Sequence, residues 1–451
     1  MIEPGIFKAN DIRGVATGDA PQWDTDGAYV LGAALVDALD LTAAEGALVL
    51  GRDMRTTSPE LSRAFTAGVL DRGADVIDIG LASTDELWFA SGHLRLPGVM
   101  FTASHNPGHY NGIKFCLSEA RPVSPQLLRE LAERATRPAP EPVAQRGSRT
   151  EQDLLPAYAD HLHSLVDLSG IRRLTVVADA GNGMAGHTLP AVLGGQNLEL
   201  IGLYTDPDGT FPNHAPNPLE PENLVDAQAA VVEHGADLAL VFDGDADRCF
   251  IIDERGEVVN PSTVTAMIAF NELRREPGAT VVINKITSRA VGEIVAEAGG
   301  TIVMTKVGHT FVKAAMAEHR AIFGGEHSAH YYFRDFWGAD TGMLAALHVL
   351  ALAGASDQPL SALTAEFSRY VSSGEINTLV DDQQAVMDAV AAEFDGRGEQ
   401  DRMDGLTVTG ADWWVNVRPS NTEPLLRLNV EARDKAQVAT LRDEALGVIR
   451  G

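Results

Sequence analysis

A-L-V-L-G-R-D-M-R-T-T-S-P-E-L, residues 47–61, passes from an apolar run through a polar loop into a helix start, with Ser58 ahead of Pro59 and Glu60. The same rhythm returns in T-V-V-A-D-A-G-N-G-M-A-G (175–186) and T-V-V-I-N-K-I-T-S-R-A-V (280–291). Short apolar runs followed by helical patterns indicate βα units in parallel or mixed sheets. Their recurrence points to several related α/β modules.

Punctuation between the modules places the boundaries. R-A-T-R-P-A-P-E-P-V-A-Q-R-G-S-R-T (134–150) is rich in Pro and charge, has no apolar period, and reads as a linker. Further breaks fall at 253–261 and at 356–359, after a helix over 341–352. The last part reads strand (W-W-V-N-V-R), loop, strand (L-L-R-L-N-V-E-A) and closing helix, an α+β pattern. The 451 residues exceed what one core supports, since cores stop growing at about 250–300 residues. The expected divisions are 1–145, 146–253, 254–357 and 358–451.

Composition excludes several classes. There are 63 Asp plus Glu against 35 Lys plus Arg, a formal charge of −28, which argues against nucleic-acid and anionic-membrane partners. Any phosphate site must then gather its own basic cluster. Cys116 and Cys249 sit in apolar surroundings and read as buried thiols; a count of two excludes a disulfide framework and fits a reducing, cytoplasmic location. The N-terminus lacks the pattern of a signal peptide, and the apolar stretch at 342–355 is too short to span a bilayer.

Four strings carry chemistry. T-A-S-H-N-P (102–107) follows the apolar run P-G-V-M-F and precedes Y-N-G-I-K-F. Ser104, between a strand end and a turn set by Asn106-Pro107, is expected to be presented to solvent. His105 can polarise it and Lys114 can meet an anion; no G-x-S-x-G elbow is present, which disfavours an esterase. D-G-D-A-D-R (243–248) follows L-A-L-V-F and aims Asp243, Asp245 and Asp247 from one loop. Two carboxylates about 4 Å apart repel by roughly 4 kcal/mol at an effective dielectric of about 20. The triple therefore calls for a cation, and hard oxygen donors suit Mg²⁺. In G-G-E-H-S-A-H-Y-Y-F (324–333), Glu326 and Ser328 suit sugar hydroxyls. In R-P-S-N-T-E-P-L-L-R (418–427), Arg418 suits phosphate, with Ser420, Asn421 and Thr422 completing a cradle.

Two other readings compete for the aspartate string. An EF-hand loop also begins D-x-D-x-D, with Glu254 at its twelfth place, but its sixth place needs Gly and holds Arg248. An aspartyl-phosphate sugar phosphatase would use Asp243 as nucleophile and leaves T-A-S-H-N-P unexplained.

Together the four strings resemble the α-D-phosphohexomutases, the phosphomannomutases and phosphoglucomutases, in the family's order and over nearly the whole chain. D-I-R-G (11–14), G-R-D (51–53), N-K (284–285) and G-H-T (308–310) add to the resemblance. It implies three related α/β domains with mixed sheets and a C-terminal α+β domain around a central cleft. The four divisions would carry, in order, the phosphoserine, metal, sugar and phosphate loops. It further implies that Ser104 carries the transferable phosphate and that Asp243, Asp245, Asp247 and a phosphoserine oxygen hold Mg²⁺. Arg13, Lys114, Arg248 and His309 would neutralise charge or shuttle protons. Lys285, Glu326, Ser328, His330, Arg418, Ser420, Asn421, Thr422 and Arg427 would contact substrate. The expected activity interconverts mannose 6-phosphate and mannose 1-phosphate through hexose 1,6-bisphosphate, the S-A-H-Y-Y-F-R-D-F string resembling the phosphomannomutase branch. Phosphoglucomutase activity is the alternative within the family, and a monomer or dimer is expected. Two positions depart from the family's pattern: Asn10, where an aromatic is common, and His327, where Met is common.

Overall fold

A computed structural model describes all residues except 1, 9, 42–45, 139 and 421–424. The chain divides into two compact units, Met1–Val259 with Ser328–Ser361, and Asn260–His327 with Ala362–Gly451.

The first unit begins with a mixed sheet in the order Ile12–Val15, Tyr110–Leu117, Gly98–Phe101, Ala47–Arg52, Asp75–Leu81, Arg149–Glu151. Ala47–Arg52 runs parallel to both neighbours, with Arg52 opposite Phe101. This register sets the loops after residues 52 and 101 side by side, at the carboxyl ends of parallel strands where α/β sheets place their ligands. Helices Thr25–Ala38 and Ser58–Asp71 cross at glycines: a Cβ at Gly32 would lie 2.1 Å from Phe65 O, and one at Gly68 2.1 Å from Tyr29 O. Ser58 opens its helix as the sequence suggests, and Thr57 stands at the cap. The linker ends in a strand that periodicity does not reveal: Arg149–Glu151 adds in parallel to Asp75–Leu81. It is three exposed polar residues long, with no buried face to produce an apolar signal.

A second sheet follows in the order Val258–Val259, Cys249–Asp253, Leu238–Phe242, Leu174–Asp179, Leu198–Leu203. Leu238–Phe242 is buried at every residue, which is why it reads as a continuous apolar run. It pairs antiparallel with Cys249–Asp253, with Phe242 opposite Cys249, so D-G-D-A-D-R is the turn of a hairpin. Within Ser328–Ser361, the hairpin Tyr331–Phe333/Ala339–Asp340 leads into the buried helix Gly342–Gly354, capped by Thr341.

The second unit holds Thr280–Asn284 between Thr301–Thr305 and Phe323–Gly325, all parallel, with helices Arg289–Glu297 and His309–His319 between strands. Its C-terminal part is an antiparallel sheet in which Trp413–Pro419 and Leu425–Ala432 are central. Helices Gln383–Glu393 and Lys435–Arg450 supply Val390, Leu441 and Ile449 to its core. Both cysteines are buried. No helix among the described residues is long and apolar enough to cross a membrane.

One buried acid gives the first unit a pH signature. Glu86 is 1% exposed, its Oε2 accepts no hydrogen bond among the described residues, and that atom lies 3.8 Å from His187 Nε2. Burial, then the charge of Asp85, raises its carboxyl to about 8; burial holds His187 below the usual imidazole range. A raised folded-state value means that stability is fully present below the ordinary carboxyl value and is lost as pH rises through about 8. The melting temperature is therefore expected to fall from about pH 5 to about pH 9, and Glu86→Gln to flatten that fall. Parallel curves for the two proteins would refute the assignment.

Candidate active site

Ser104 follows the strand Gly98–Phe101 and adopts a left-handed backbone, φ 52°. Its N–H donates to Thr102 Oγ1 (2.9 Å) and its Oγ–H to Asp243 Oδ2 (3.0 Å). Arg248 Nη2 donates to Ser104 Oγ at 3.3 Å and also meets His105 Nδ1. The expectation of a solvent-presented serine is corrected here: Ser104 is 2% exposed. A turn serine is open only when nothing packs on the turn, and here the aspartate hairpin does. A Cβ at residue 244 would stand 2.5 Å from Ser104 O, so this approach requires Gly244.

Beneath the serine loop lies Arg55, fully buried. Its Nε donates to Asp53 Oδ2, Nη1 to the carbonyls of Pro107 and Tyr110, and Nη2 to those of Ser104 and Asn106. All five guanidinium N–H groups are thereby satisfied, four of them by the turn that carries Ser104. Asp53 Oδ1 accepts from Arg55 N and Ser58 Oγ, which ties the turn to the adjoining helix. Arg13 joins the same loop, with Nη1 donating to Asn106 Oδ1 (3.1 Å) and Nε paired with Asp11 (2.7 Å).

The hairpin turn brings ligand atoms of Asp243, Asp245 and Asp247 within 4.8 Å of one another, all buried. Lys114 Nζ lies between two of them, 2.6 Å from Asp245 Oδ2 and 2.5 Å from Asp247 Oδ2. Arg248 Nε pairs with Asp243 Oδ2 at 3.1 Å. Burial, together with its two neighbouring carboxylates, raises Asp243 to about 8, against the pull of Arg248. Burial works the same way on Asp247, but Lys114 and His330 outweigh it and hold that carboxyl at about 2. Asp245, buried and beside Asp247, is also lowered, by its ion pair with Lys114. Burial and Arg248 push His105 well below the imidazole range. Asp245 Oδ1 and Asp247 Oδ1 are buried and accept no hydrogen bond among the described residues. Oriented hard-oxygen donors with two vacant acceptors fit a divalent cation such as Mg²⁺. The EF-hand reading fails separately, because Glu254 accepts the N–H (3.0 Å) and hydroxyl (2.5 Å) of Ser361.

His330 and Ser328 belong to this unit. Ser328 Oγ and His330 Nδ1 are 2.9 Å apart, and His330 Nε2 is 3.9 Å from Asp247 Oδ1. In the second unit, Glu326 is buried and its Oε1 accepts from Asn284 Nδ2 (2.9 Å) and Gly308 N (3.1 Å). Lys285 Nζ pairs with Asp401 (2.7 Å), and His309 opens the helix His309–His319. Arg418 and Arg427 stand opposite each other across two strands and share the carboxylate of Glu375, at 2.7 and 3.0 Å. Ser420 N donates to Leu425 O (2.9 Å); Asn421 and Thr422 lie outside the described residues.

Four family models match in succession: "Phosphoglucomutase/phosphomannomutase, alpha/beta/alpha domain I" over residues 4–141, domain II over 156–256, domain III over 260–370 and the C-terminal domain over 375–448. The chain belongs to the phosphoglucomutase/phosphomannomutase family. It is 41% identical to phosphohexose mutases of Xanthomonas campestris and 40% identical to a phosphomannomutase of Salmonella typhimurium, covering 99% of each pair. A crystal structure of a family protein from Burkholderia thailandensis superposes with a TM-score of 0.90 at 33% identity, over 100% of this chain and 98% of that one. The family, the α/β architecture and the mutase class of enzyme expected from the four strings are therefore borne out.

Within this phosphoglucomutase/phosphomannomutase frame, three contributors went unread in the sequence. Arg55 lies two residues beyond G-R-D, but nothing local signals that it is fully buried. Asn111, inside the Y-N-G string, is buried and donates to Thr57 Oγ1 and Ser58 Oγ. Thr84 reaches Asp245 from 161 positions away, a separation over which no pattern carries information.

Proposed function

We propose that this protein is a phosphohexomutase that interconverts mannose 6-phosphate and mannose 1-phosphate through phospho-Ser104, and that it also accepts glucose phosphates. One observation carries the reading: Ser104 Oγ is buried within hydrogen-bond reach of both Asp243 and Arg248, beside three converging carboxylates. Phospho-Ser104 gives its phosphoryl group to the free hydroxyl of a hexose 1- or 6-phosphate. The P–Oγ bond breaks, a P–O bond to the sugar forms, and the sugar's hydroxyl proton ends on Ser104 Oγ. The hexose 1,6-bisphosphate turns end for end, its other phosphoryl group returns to Ser104 Oγ, and the isomer leaves. Ser104 Oγ–H, which donates to Asp243 Oδ2 at 3.0 Å, gives up its proton as the P–Oγ bond reforms, and the sugar oxygen released from phosphorus takes a proton in its place.

Mg²⁺ held by Asp243, Asp245, Asp247 and a phosphoserine oxygen would neutralise charge on the transferring group. Lys114, Arg248 and Arg13 supply fixed positive charge around Ser104, so little reorganisation is needed as charge shifts. Glu326, Ser328, His330 and Lys285 are assigned to the substrate sugar, and His309 to charge neutralisation or proton transfer. Arg418, Arg427, Ser420, Asn421 and Thr422 are assigned to the phosphate that is not transferred. The four divisions, 1–145, 146–253, 254–357 and 358–451, are proposed as the domains that carry these loops.

Intact mass and peptide mapping of purified protein test the nucleophile. A phosphate on Ser104 is expected, whereas a hydroxylamine-labile phosphate on Asp243 would turn the reading to a phosphatase. Specificity follows from geometry. One site takes the sugar in two orientations, which favours hydroxyls near its pseudo-symmetry centre, such as O3 and O4. Mannose and glucose differ only at C2. A hydroxyl reader that loses its partner costs about 1–3 kcal/mol, so Glu326→Ala is expected to lower kcat/KM for both sugars roughly ten- to hundredfold. A variant that lost only one sugar would show that Glu326 reads C2.

A further inference from the structure

The helix Thr84–Leu94 begins against the aspartate hairpin. Thr84 N donates to Asp245 O (2.9 Å), and Thr84 Oγ1 donates to Asp245 Oδ2 (2.5 Å). Oδ2 also takes Lys114, so two donors fill it, while Oδ1 stays buried and accepts no hydrogen bond among the described residues. The next residue anchors Thr84. Asp85 is 1% exposed; its Oδ1 accepts from Ser83 Oγ, and its Oδ2 accepts from Tyr158 OH and Thr341 Oγ1, both at 2.7 Å. Tyr158 lies on the helix Leu155–Leu165, and Thr341 caps the helix Gly342–Gly354 through Leu344 N (3.1 Å). One carboxylate thus joins three helix segments beside the residue that grips Asp245.

We propose that Thr84 is a positioning residue for the cation: by clamping the main chain and Oδ2 of Asp245, it presents Oδ1 to the metal. The terminal torsion of an aspartate is broad and roughly two-fold, so without the clamp the carboxylate can turn and spread both oxygens over Lys114. Groups that orient a metal ligand in this way typically change affinity about 10–100-fold when removed. The inference rests on the proposed role of Asp245 in the metal site.

The test is Mn²⁺ titration of the full-length, unphosphorylated protein, with free Mn²⁺ followed by electron paramagnetic resonance. Melting temperatures are recorded alongside. Thr84→Val keeps the shape and loses the hydroxyl; it should raise the Mn²⁺ dissociation constant about 10–100-fold. Thr84→Ser keeps the hydroxyl and should return it to near the wild-type value. A Val variant that binds Mn²⁺ like wild type, while Asp245→Ala does not, overturns the positioning role and leaves the metal reading standing. A Ser variant as weak as Val would mark a packing role and also overturn it. If Asp245→Ala itself bound Mn²⁺ normally, the metal reading would fall and this inference with it.

Discussion

Ser104→Ala is expected to lower kcat by about 10⁴-fold or more, because it removes the proposed phosphoryl carrier and with it the two-step route. Its Oγ makes the hydrogen bonds to Asp243 and Arg248, so the substitution leaves the loop contact from Arg55 to the Ser104 carbonyl in place. The fold should therefore survive. A companion variant separates chemistry from stability. At φ 52° every residue with a Cβ is strained, and relief is worth about 1–2 kcal/mol. Ser104→Gly should accordingly be inactive yet more stable than Ser104→Ala by about 1 kcal/mol in denaturant titrations. A coupled assay on mannose 1-phosphate reads the first effect. Activity within about tenfold of wild type in either variant would remove Ser104 from the mechanism.

Arg55→Met should give the largest loss of stability in the first unit. The substitution strands Asp53 as a buried charge and leaves the carbonyls of Ser104, Asn106, Pro107 and Tyr110 without their shared donor. Breaking a buried pair from one side costs about 3–5 kcal/mol. The serine turn loses its template as well, and a displacement of about 1 Å at a reacting group can cost about 10²-fold in rate. Arg55→Lys retains the charge but not the planar fork, so it should recover part of the stability and little of the rate. Denaturant titration and kcat on the same samples measure both. A methionine variant with wild-type stability would show that the loop holds its shape without the guanidinium.

Much of the site was legible because its chemistry is local. D-G-D-A-D-R lies in six consecutive residues, so converging carboxylates follow from spacing alone, and the hairpin confirms that convergence. The strands Leu238–Phe242 and Thr280–Asn284 are buried along nearly their whole length, and burial on both faces writes an unbroken apolar run into the sequence. By contrast, Arg149–Glu151 buries nothing and left no trace.

What the sequence determined by itself was the α/β class, the serine loop, the triple carboxylate and the family that owns these strings. Each is encoded in adjacent residues whose spacing fixes their geometry. Only the tertiary structure decided that Ser104 is buried, that Arg55 holds its turn, and that Thr84 and Lys114 share one oxygen of Asp245. It alone showed that Arg418 and Arg427 meet across a carboxylate, Glu375, some forty to fifty residues earlier. The physical reason is the same in each case. Burial and long-range pairing depend on which loops the sheets bring together. That is set by strand order and register, which no local pattern of side chains records.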